Sequence, residues 1–216
     1  MKLTIVYDNE VYKKDIGLKS DWGFSCLIET TIETILFDTG AKGKILLNNM
    51  EKLDVNPGNI SKIVISHEHW DHNGGLKAIS SLVDDVTLYR LAKKSPSENM
   101  QPVSAENSCK LTEGIYTTGR LRGSPVDEQS LILKGKKGWY VLTGCSHPGV
   151  QTILDTARQQ GDIVGLIGGL HGFDNFMLLE GLDLVSASHC TKHKKKMRQL
   201  FPKICVEDGV GKILEI

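Results

Sequence analysis

The chain alternates between short runs of apolar, β-branched residues and longer segments with apolar residues at helical spacing. In the first half, the short runs predict strands at 3–7, 24–29, 33–38, 60–66 and 86–90. The longer segments predict helices at 42–52 and 76–82. This alternation of strands with helices indicates an α/β protein.

The second half repeats this order of elements. Strands at 131–134 and 139–143 flank a Gly-containing turn and form a predicted hairpin. After it come predicted helices and strands, namely helices at 150–160, 173–182 and 191–200 and strands at 163–167 and 184–186. The duplication predicts two sheets packed face to face with helices outside them, in a single domain spanning residues 1–216.

A region without clear periodicity separates the two halves. Residues 91–130 are rich in Ser, Gly, Pro and Asn, so we expect mostly loop there, with short strands near 109–111 and 115–118. Arg120 and Arg122 in this region are candidates for binding a substrate phosphate, although they also suit ordinary surface charge. Glu128 begins the next strand, and no spacing assigns it to a site.

The composition excludes several classes of protein. The 216 residues are 40% hydrophobic and 24% charged, as in a globular domain rather than a disordered chain. Since 26 basic residues balance 26 acidic ones, we expect no nucleic-acid partner. No apolar run approaches the roughly 18 residues of a membrane helix, and the N-terminal strand is too short and polar for a secretory signal. We therefore expect a cytoplasmic protein with a small-molecule substrate, whose oligomeric state the sequence does not set.

The cysteines form no pattern that points to a disulfide framework or a zinc ribbon. There are five, at wide and irregular spacing and without a C-x-x-C pair. We expect reduced and mostly buried thiols. Cys145 and Cys190 differ from the rest only in that each lies within two residues of a histidine.

The strongest chemical signal is the segment SHEHWDHNGG, which directly follows the apolar strand ending at Ser66. In an extended segment, residues two apart share a face, so His67 and His69 can bind one ion together. If the chain then turns into a helix, Asp71 and His72 can point toward a second position. Nitrogen-rich ligands with one carboxylate favour Zn²⁺, with Fe and Mn as alternatives, and one or two ions are expected.

The H-x-H-x-D-H pattern after a buried strand resembles the metallo-β-lactamase superfamily, whose four-layer αββα sandwich agrees with the duplicated order of elements. Three further motifs occur in the family's order, which are FDTG at Asp38, GCSHPG at His147 and SASHC at His189. The resemblance implies that His67, His69 and His147 hold the first ion. It implies that Asp71, His72 and His189 hold the second, while Asp38 orients a ligand histidine without binding metal.

The chain departs from the family pattern at the fourth motif. Many members place there an Asp that bridges two metals, whereas this chain has GGLHG, with His171 after the predicted strand at 163–167. We expect His171 to face the metals, where it either binds one, contacts substrate or acts as an acid or base. Without a bridging carboxylate, the second ion is expected to bind more weakly.

The motifs also resemble one branch of the superfamily, the 7,8-dihydropterin-6-ylmethyl-4-(β-D-ribofuranosyl)aminobenzene-5′-phosphate synthase-like proteins. The matching residues include WGFS at 22–25, TGCSHPG at 143–149 and HCT at 189–191. The branch usually has Gly after HCT, where this chain has Lys192.

The resemblance implies an enzyme, and the leading hypothesis is a metal-dependent hydrolase of a small anionic ester, phosphoester or related substrate. Three nitrogen ligands leave a zinc position open, and bound water becomes hydroxide near neutral pH. Asp71 and His171 are the residues expected to take part in catalysis. One alternative is a synthase that joins a dihydropterin diphosphate to an aminobenzene-ribose phosphate, and another is a non-catalytic metal-holding protein that senses a ligand.

Two other kinds of enzyme with this fold agree less well with the residues of this chain than a hydrolase does. Di-iron reductases use a carboxylate where this chain has His69 and need a flavin partner, and a histidine-rich set favours zinc over a redox iron pair. The basic run at 192–198 suggests an RNA-processing nuclease, but it lacks interleaved aromatic residues and the net charge is zero. A solvated helix face is the simpler interpretation of that run.

Overall fold

The computed structural model describes residues 1–92, 95 and 97–216. The chain folds into two compact units, unit 1 at 1–104 with 208–215 and unit 2 at 105–207 with Ile216. Each unit contains one seven-stranded mixed sheet. The expectation of a single domain stays a prediction, and the two units are described in turn.

Unit 1 is built on a sheet whose strand order is β14-β1-β2-β3-β4-β5-β6. The strands are β1 Lys2–Tyr7, β2 Ser25–Glu29, β3 Thr34–Phe37, β4 Ile60–Val64, β5 Val86–Arg90, β6 Met100–Ser104 and β14 Ile213–Glu215. The strands from β14 to β3 pair antiparallel, and those from β3 to β6 pair parallel. The helices are α1 Gly43–Lys52, α2 Trp70–Asn73 and α3 Leu76–Ser80.

Unit 2 repeats that design with the order β13-β12-β11-β10-β9-β8-β7. The strands are β7 Asn107–Thr112, β8 Ile115–Gly119, β9 Leu131–Lys134, β10 Trp139–Thr143, β11 Ile163–Gly169, β12 Leu184–Ser188 and β13 Cys205–Val206. Strands β7 to β10 pair antiparallel, and β10 to β13 pair parallel. The helices are α4 Val150–Ala157 and α5 Lys194–Leu200.

Each unit has its own hydrophobic core, formed where helices pack on the sheet. In unit 1, Leu46 and Met50 of α1 and Ile79 of α3 are fully buried in that core. In unit 2, the buried residues of α4 recur at i, i+3, i+4 and i+7 and so share one face of the helix, and they are Val150, Ile153, Leu154 and Ala157. Burial of each such Val, Leu, Ile or Met side chain stabilises the fold by about 1.5–3 kcal/mol, which fixes the strands whose ends carry the candidate site.

The predicted elements differ from the structure in several places. In the region expected to be mostly loop, the short strands predicted near 109–111 and 115–118 are confirmed as β7 and β8, but β6 was not predicted. That region also covers Lys93, Lys94 and Pro96, which lie outside the described residues. The helix expected at 173–182 was wrong, because only a single 3₁₀ turn forms there, at Phe176–Leu179. Strands β13 and β14 were not predicted. Strand β13 pairs with β12 in unit 2, and β14 pairs with β1 at the edge of the sheet of unit 1. In the described part of the chain, every helix is too short to cross a bilayer.

Candidate metal centre

The predicted ligands of unit 1 lie where the chain leaves the carboxyl end of β4. His67 is fully buried, and its Nε2 lies 3.1 Å from Nδ1 of His69. Glu68, between them, points elsewhere, since its carboxylate accepts hydrogen bonds from the Arg90 guanidinium and from the backbone N–H of Ala92. The two imidazoles thus share one face of the extended segment.

The next residues turn into the four-residue helix α2, which supplies two more polar side chains. Asp71 is 6% exposed and His72 is fully buried. Nε2 of His72 lies 3.8 Å from Oδ2 of Asp71, and the ring centroids of His72 and His67 are 4.1 Å apart. Three imidazoles and one carboxylate therefore lie close together in unit 1.

Asp38 holds this group from the end of β3. Its Oδ1 accepts the backbone N–H of Ser66, and its Oδ2 accepts the hydroxyl of Ser66 and Nδ1 of His72, each at 2.7 Å. Because the Ser66 hydroxyl donates to Asp38, it can accept a hydrogen bond from Nδ1 of His67, 2.9 Å away. With Asp38 ionised, the protons of His67 and His72 sit on Nδ1, which leaves an acceptor lone pair on each Nε2, the form of imidazole that can bind a cation.

The position of Asp38 is costly, as expected at a site of special function. Its backbone has φ of 57°, in the left-handed region that non-glycine residues seldom adopt. Burial raises the pKa of the Asp38 carboxyl, and the contacts with His72 and Ser66 act in the opposite direction. The hydrogen bonds with His72 and Ser66, the groups that Asp38 orients, therefore offset part of the cost of burying its carboxylate.

The donor set of unit 1 fits a metal ion. In a tetrahedral site with Zn–N bonds of about 2.0–2.1 Å, two nitrogen ligands lie about 3.3 Å apart. The 3.1 Å between Nε2 of His67 and Nδ1 of His69 is close to that separation. Carboxylate support of a ligand histidine is the usual arrangement around zinc, and Asp38 supplies it to His72.

The predicted ligands of unit 2 also follow the carboxyl ends of parallel strands. His147 lies in the loop after β10, His171 after β11 and His189 after β12. The rings of His147 and His171 have centroids 4.7 Å apart, and His171 is exposed. His189 is 4% exposed and lies with the sulfurs of Cys145 and Cys190, their ligand atoms within 4.8 Å of one another.

Glu128 organises the loop that carries His147, a role that the sequence did not reveal. This fully buried carboxylate accepts hydrogen bonds from the backbone N–H groups of residues 144–147, at 2.9–3.2 Å, and from the Thr143 hydroxyl at 2.9 Å. Charge-assisted bonds of this kind are stronger than neutral ones. Glu128 therefore fixes the backbone of the loop, as Asp38 fixes the rings of unit 1.

The loops that carry His171 and His189 are joined through Thr191. The Thr191 hydroxyl donates to the carbonyl of Ser188 at 2.7 Å and accepts the N–H of Leu170 at 2.9 Å. Both His171 and His189 have φ of 45°, so their backbone conformation depends on such surrounding bonds. The result is a fixed spacing between the ends of β11 and β12.

The two glycines at the fourth motif are explained by close packing. At Gly168, where φ is 114°, an added Cβ would lie 1.9 Å from the carbonyl oxygen of Thr143. At Gly169 it would lie 2.3 Å from the carbonyl oxygen of Gly144 and 2.8 Å from the sulfur of Cys190. No side chain, and hence no bridging carboxylate, fits at either position without movement of the β10 loop.

A pocket of about 200 Å³ opens in unit 2 beside His147 and His171. The apolar residues Val150, Leu170 and Phe173 also line it. Of the two arginines considered for phosphate binding, Arg120 is paired with Glu106 and Asp127, and Arg122 reaches Asp127 at 3.5 Å. The side chain of Arg122 is 91% exposed.

Comparison with known proteins places these observations in a family. The model of the metallo-beta-lactamase superfamily matches residues 23–165. Among curated proteins of Methanocaldococcus jannaschii, the 7,8-dihydropterin-6-methyl-4-(beta-D-ribofuranosyl)-aminobenzene-5′-phosphate synthase is 26% identical, with 91% of this chain and 90% of that protein covered. An uncharacterised protein of the same organism is 27% identical, over 99% of this chain and 100% of its own length.

A solved structure gives the same result for the fold. A metal-dependent hydrolase of the beta-lactamase superfamily superimposes with a TM-score of 0.80 at 22% identity, covering 100% of this chain and 99% of that one. The predicted α/β fold of the metallo-β-lactamase type, and the resemblance to the synthase-like branch, are confirmed. With a family model that spans well over half of its length and motifs at its strand ends, this chain belongs to the metallo-β-lactamase superfamily.

Proposed function

We propose that this protein is a metal-dependent hydrolase of a small anionic ester, phosphoester or related substrate, with zinc as its metal. The observation that carries the proposal is the convergence of Nε2 of His67 on Nδ1 of His69 at 3.1 Å, beside a His72 ring held by the buried Asp38. Such carboxylate-supported imidazoles are typical of zinc sites. Iron and manganese remain alternatives, and a cytoplasmic location stays a prediction.

We assign the ligands as the family resemblance implies. His67, His69 and His147 would hold the first ion, and Asp71, His72 and His189 the second. Support comes from the position of each residue at the carboxyl end of a parallel strand or in the loop that follows it. The glycines at positions 168 and 169 favour a second ion that binds more weakly than the first, since neither offers a bridging carboxylate.

The residues of the chain have distinct parts in this proposal. A bound zinc ion would act as a Lewis acid that lets a water molecule ionise near neutral pH. Asp71 would orient that water through its carboxylate. His171, exposed beside His147 at the 200 Å³ pocket, would give a proton from its imidazole to the leaving oxygen. The apolar wall formed by Leu170 and Phe173 favours a substrate with a small apolar group next to the bond that breaks.

A second candidate is the synthase reaction, because the similar protein from Methanocaldococcus jannaschii is named as a synthase. In that case the ligand residues would organise a diphosphate leaving group, and an aminobenzene-ribose phosphate would be the acceptor. Lys192 stands where the branch usually has Gly, and it directly follows the Thr191 that fixes the His189 loop. The two reactions share the metal ligands and differ in the acceptor, either water or an aromatic compound.

The test is turnover by zinc-loaded protein with phosphomonoesters, phosphodiesters, carboxylic esters and lactones, and with the two synthase substrates together. We expect hydrolysis in at least one panel and a loss of more than about 100-fold in His67→Ala. His193→Ala is the matched control, since this histidine lies against Phe176 and outside the ligand set. Inert metal-replete protein contradicts the hydrolase, and a joined product from the two synthase substrates establishes the transferase instead.

A further inference from the structure

Two thiols of unit 2 lie almost in bonding distance at the ends of two different strands. The sulfur of Cys145, in the loop after β10, is 3.1 Å from the sulfur of Cys190, which follows β12. A disulfide bond is about 2.05 Å long, so an approach of about 1 Å would close it. Cys145 is 3% exposed, and Cys190 is partly exposed, which gives an oxidant one side of approach.

The space around the two sulfurs is formed by the strand that separates them in the sheet. Strand β11 lies between β10 and β12 and ends at Gly169. A side chain at Gly169 would approach the sulfur of Cys190 to 2.8 Å and the α-carbon of Cys145 to 3.3 Å. Because that side chain is absent, the thiols meet directly across the end of the strand.

We propose that Cys145 and Cys190 form a reversible disulfide that makes this end of the sheet a redox-sensitive site. Each thiol loses its proton, an S–S bond forms, and two electrons pass to the oxidant. With a hydroperoxide, the O–O bond breaks and water and an alcohol (or a second water) are released. With glutathione disulfide, two molecules of glutathione are released. A dithiol reductant such as dithiothreitol reverses the step and is itself oxidised to a disulfide.

The other cysteines differ from this pair in position. Cys26 is fully buried in β2, Cys109 lies in β7 and Cys205 in β13. Burial raises the pKa of each of these three thiols above its usual value. Because the 3.1 Å sulfur contact joins Cys145 to Cys190, oxidation is expected to link these two residues.

The disulfide would act on the candidate metal ligands, and this part rests on the proposed function. Cys145 precedes His147 by two residues, and Cys190 directly follows His189. Drawing the sulfurs together by about 1 Å shifts the two loops, and metal sites tolerate displacements of only about 0.5 Å. The oxidised protein should bind zinc about tenfold more weakly than the reduced protein.

The first measurement is the disulfide itself. Full-length protein is treated with glutathione disulfide or hydrogen peroxide, its remaining thiols are alkylated, and its tryptic peptides are mapped by mass spectrometry without reduction. We expect a linked peptide containing Cys145 and Cys190 that dithiothreitol separates, together with alkylated Cys26, Cys109 and Cys205. The linkage should also raise the melting temperature by roughly 5–10 °C. Thiols that stay alkylated at 145 and 190 while Cys109 or Cys205 is oxidised would overturn the proposal.

The second measurement is zinc affinity of the reduced and oxidised forms, by titration against a competing chelator. Cys190→Ser should lose both the linked peptide and the change in affinity, and Cys205→Ser is the matched control that should keep both. Equal affinity in the two redox forms refutes the coupling to the metal site. If neither form binds zinc while the linked peptide is present, the proposed function fails and the redox site stands.

Discussion

Asp38 in unit 1 and Glu128 in unit 2 are both fully buried carboxylates, and each holds a loop that carries candidate metal ligands. They contact different parts of their loops. Asp38 accepts hydrogen bonds from the His72 ring and from Ser66, and the Ser66 hydroxyl contacts the His67 ring. Glu128 accepts four backbone N–H groups and the hydroxyl of Thr143, and none of these is an imidazole. One carboxylate sets ring tautomers, whereas the other sets the path of the backbone.

This difference separates two ways of preparing a metal site. Fixing a tautomer decides which nitrogen carries a lone pair, so removing the carboxylate that fixes it should reduce metal affinity more than the stability of the fold. A carboxylate that accepts hydrogen bonds from buried backbone N–H groups removes a large desolvation cost. Its removal should therefore reduce the stability of the fold first, and metal affinity as a consequence. Substitutions in the two units can therefore be compared directly.

The largest effect is expected for Glu128→Ala. Four backbone N–H groups lose their acceptor, and we expect the free energy of unfolding to fall by about 4 kcal/mol. Urea denaturation of the metal-free protein measures it, with Glu128→Gln as a milder variant if the alanine variant does not fold. Glu113→Ala, with a side chain 82% exposed, is the control and should change stability by less than about 0.5 kcal/mol. A similar small effect in Glu128→Ala would show that the carboxylate is not what holds the loop.

The next effect concerns how tightly the unit 1 loop packs behind His72. A Cβ at Gly75 would lie 2.2 Å from the carbonyl oxygen of Thr39, whose own N–H donates to the carbonyl of His72. Gly75→Ala should lower the free energy of unfolding by about 2–3 kcal/mol. In unit 2, Gly172 follows His171 with nothing within 4 Å of its added Cβ. Gly172→Ala should therefore be nearly neutral, and equal losses in the two variants would contradict the packing difference.

Asp38→Asn should act mainly on the metal. The amide is a weaker acceptor for Nδ1 of His72, and we expect zinc affinity to fall about 10–100-fold. Asp54→Asn is a close control, because Asp54 is exposed and has a similar φ, 55° against 57°. Competition titration with a chelator measures the affinity. Unchanged affinity in Asp38→Asn would remove the proposed role of this carboxylate in setting the ring tautomers.

The smallest effect is a pH dependence of the stability of the fold, which arises from Tyr7. Tyr7 packs against Gly40, and burial with the nearby Asp21 raises its pKa from about 10 to about 12. The folded protein holds this proton more tightly than the unfolded chain, so the stabilisation is complete below pH 10 and is lost as the pH rises toward 12. Ultraviolet titration should show Tyr7 as the late-ionising tyrosine that disappears in Tyr7→Phe. A variant with the same alkaline titration curve would contradict the assignment.

The parts of the site that were predictable from the sequence are local in the chain. His67, His69, Asp71 and His72 fall within six residues, so their shared direction follows from strand and helix geometry. The contacts of Glu128 span 15–19 residues of sequence, and no periodicity encodes them. The 3.1 Å contact between Cys145 and Cys190 spans 45 residues and depends on the order of β10, β11 and β12.

The fold was also predicted incorrectly where the local sequence pattern does not reflect the element that forms. Strand β6 has four exposed residues of five and contains Pro102, which suits an edge strand but leaves no apolar alternation to detect. The apolar residues near 173–182 predicted a helix, yet Gly181 adopts φ of 83° and only Phe176–Leu179 forms a turn. There, tertiary packing of Phe176 and Leu179 produces an apolar pattern without a helix.

The most direct test of the metal assignment is anomalous scattering at the zinc edge from crystals of zinc-loaded protein. The account predicts a peak about 2.1 Å from Nε2 of His67 and Nδ1 of His69, with a second, weaker peak beside Asp71 and His72. Bound zinc found only on other residues, with the His67 and His69 nitrogens hydrogen-bonded to each other, would contradict it.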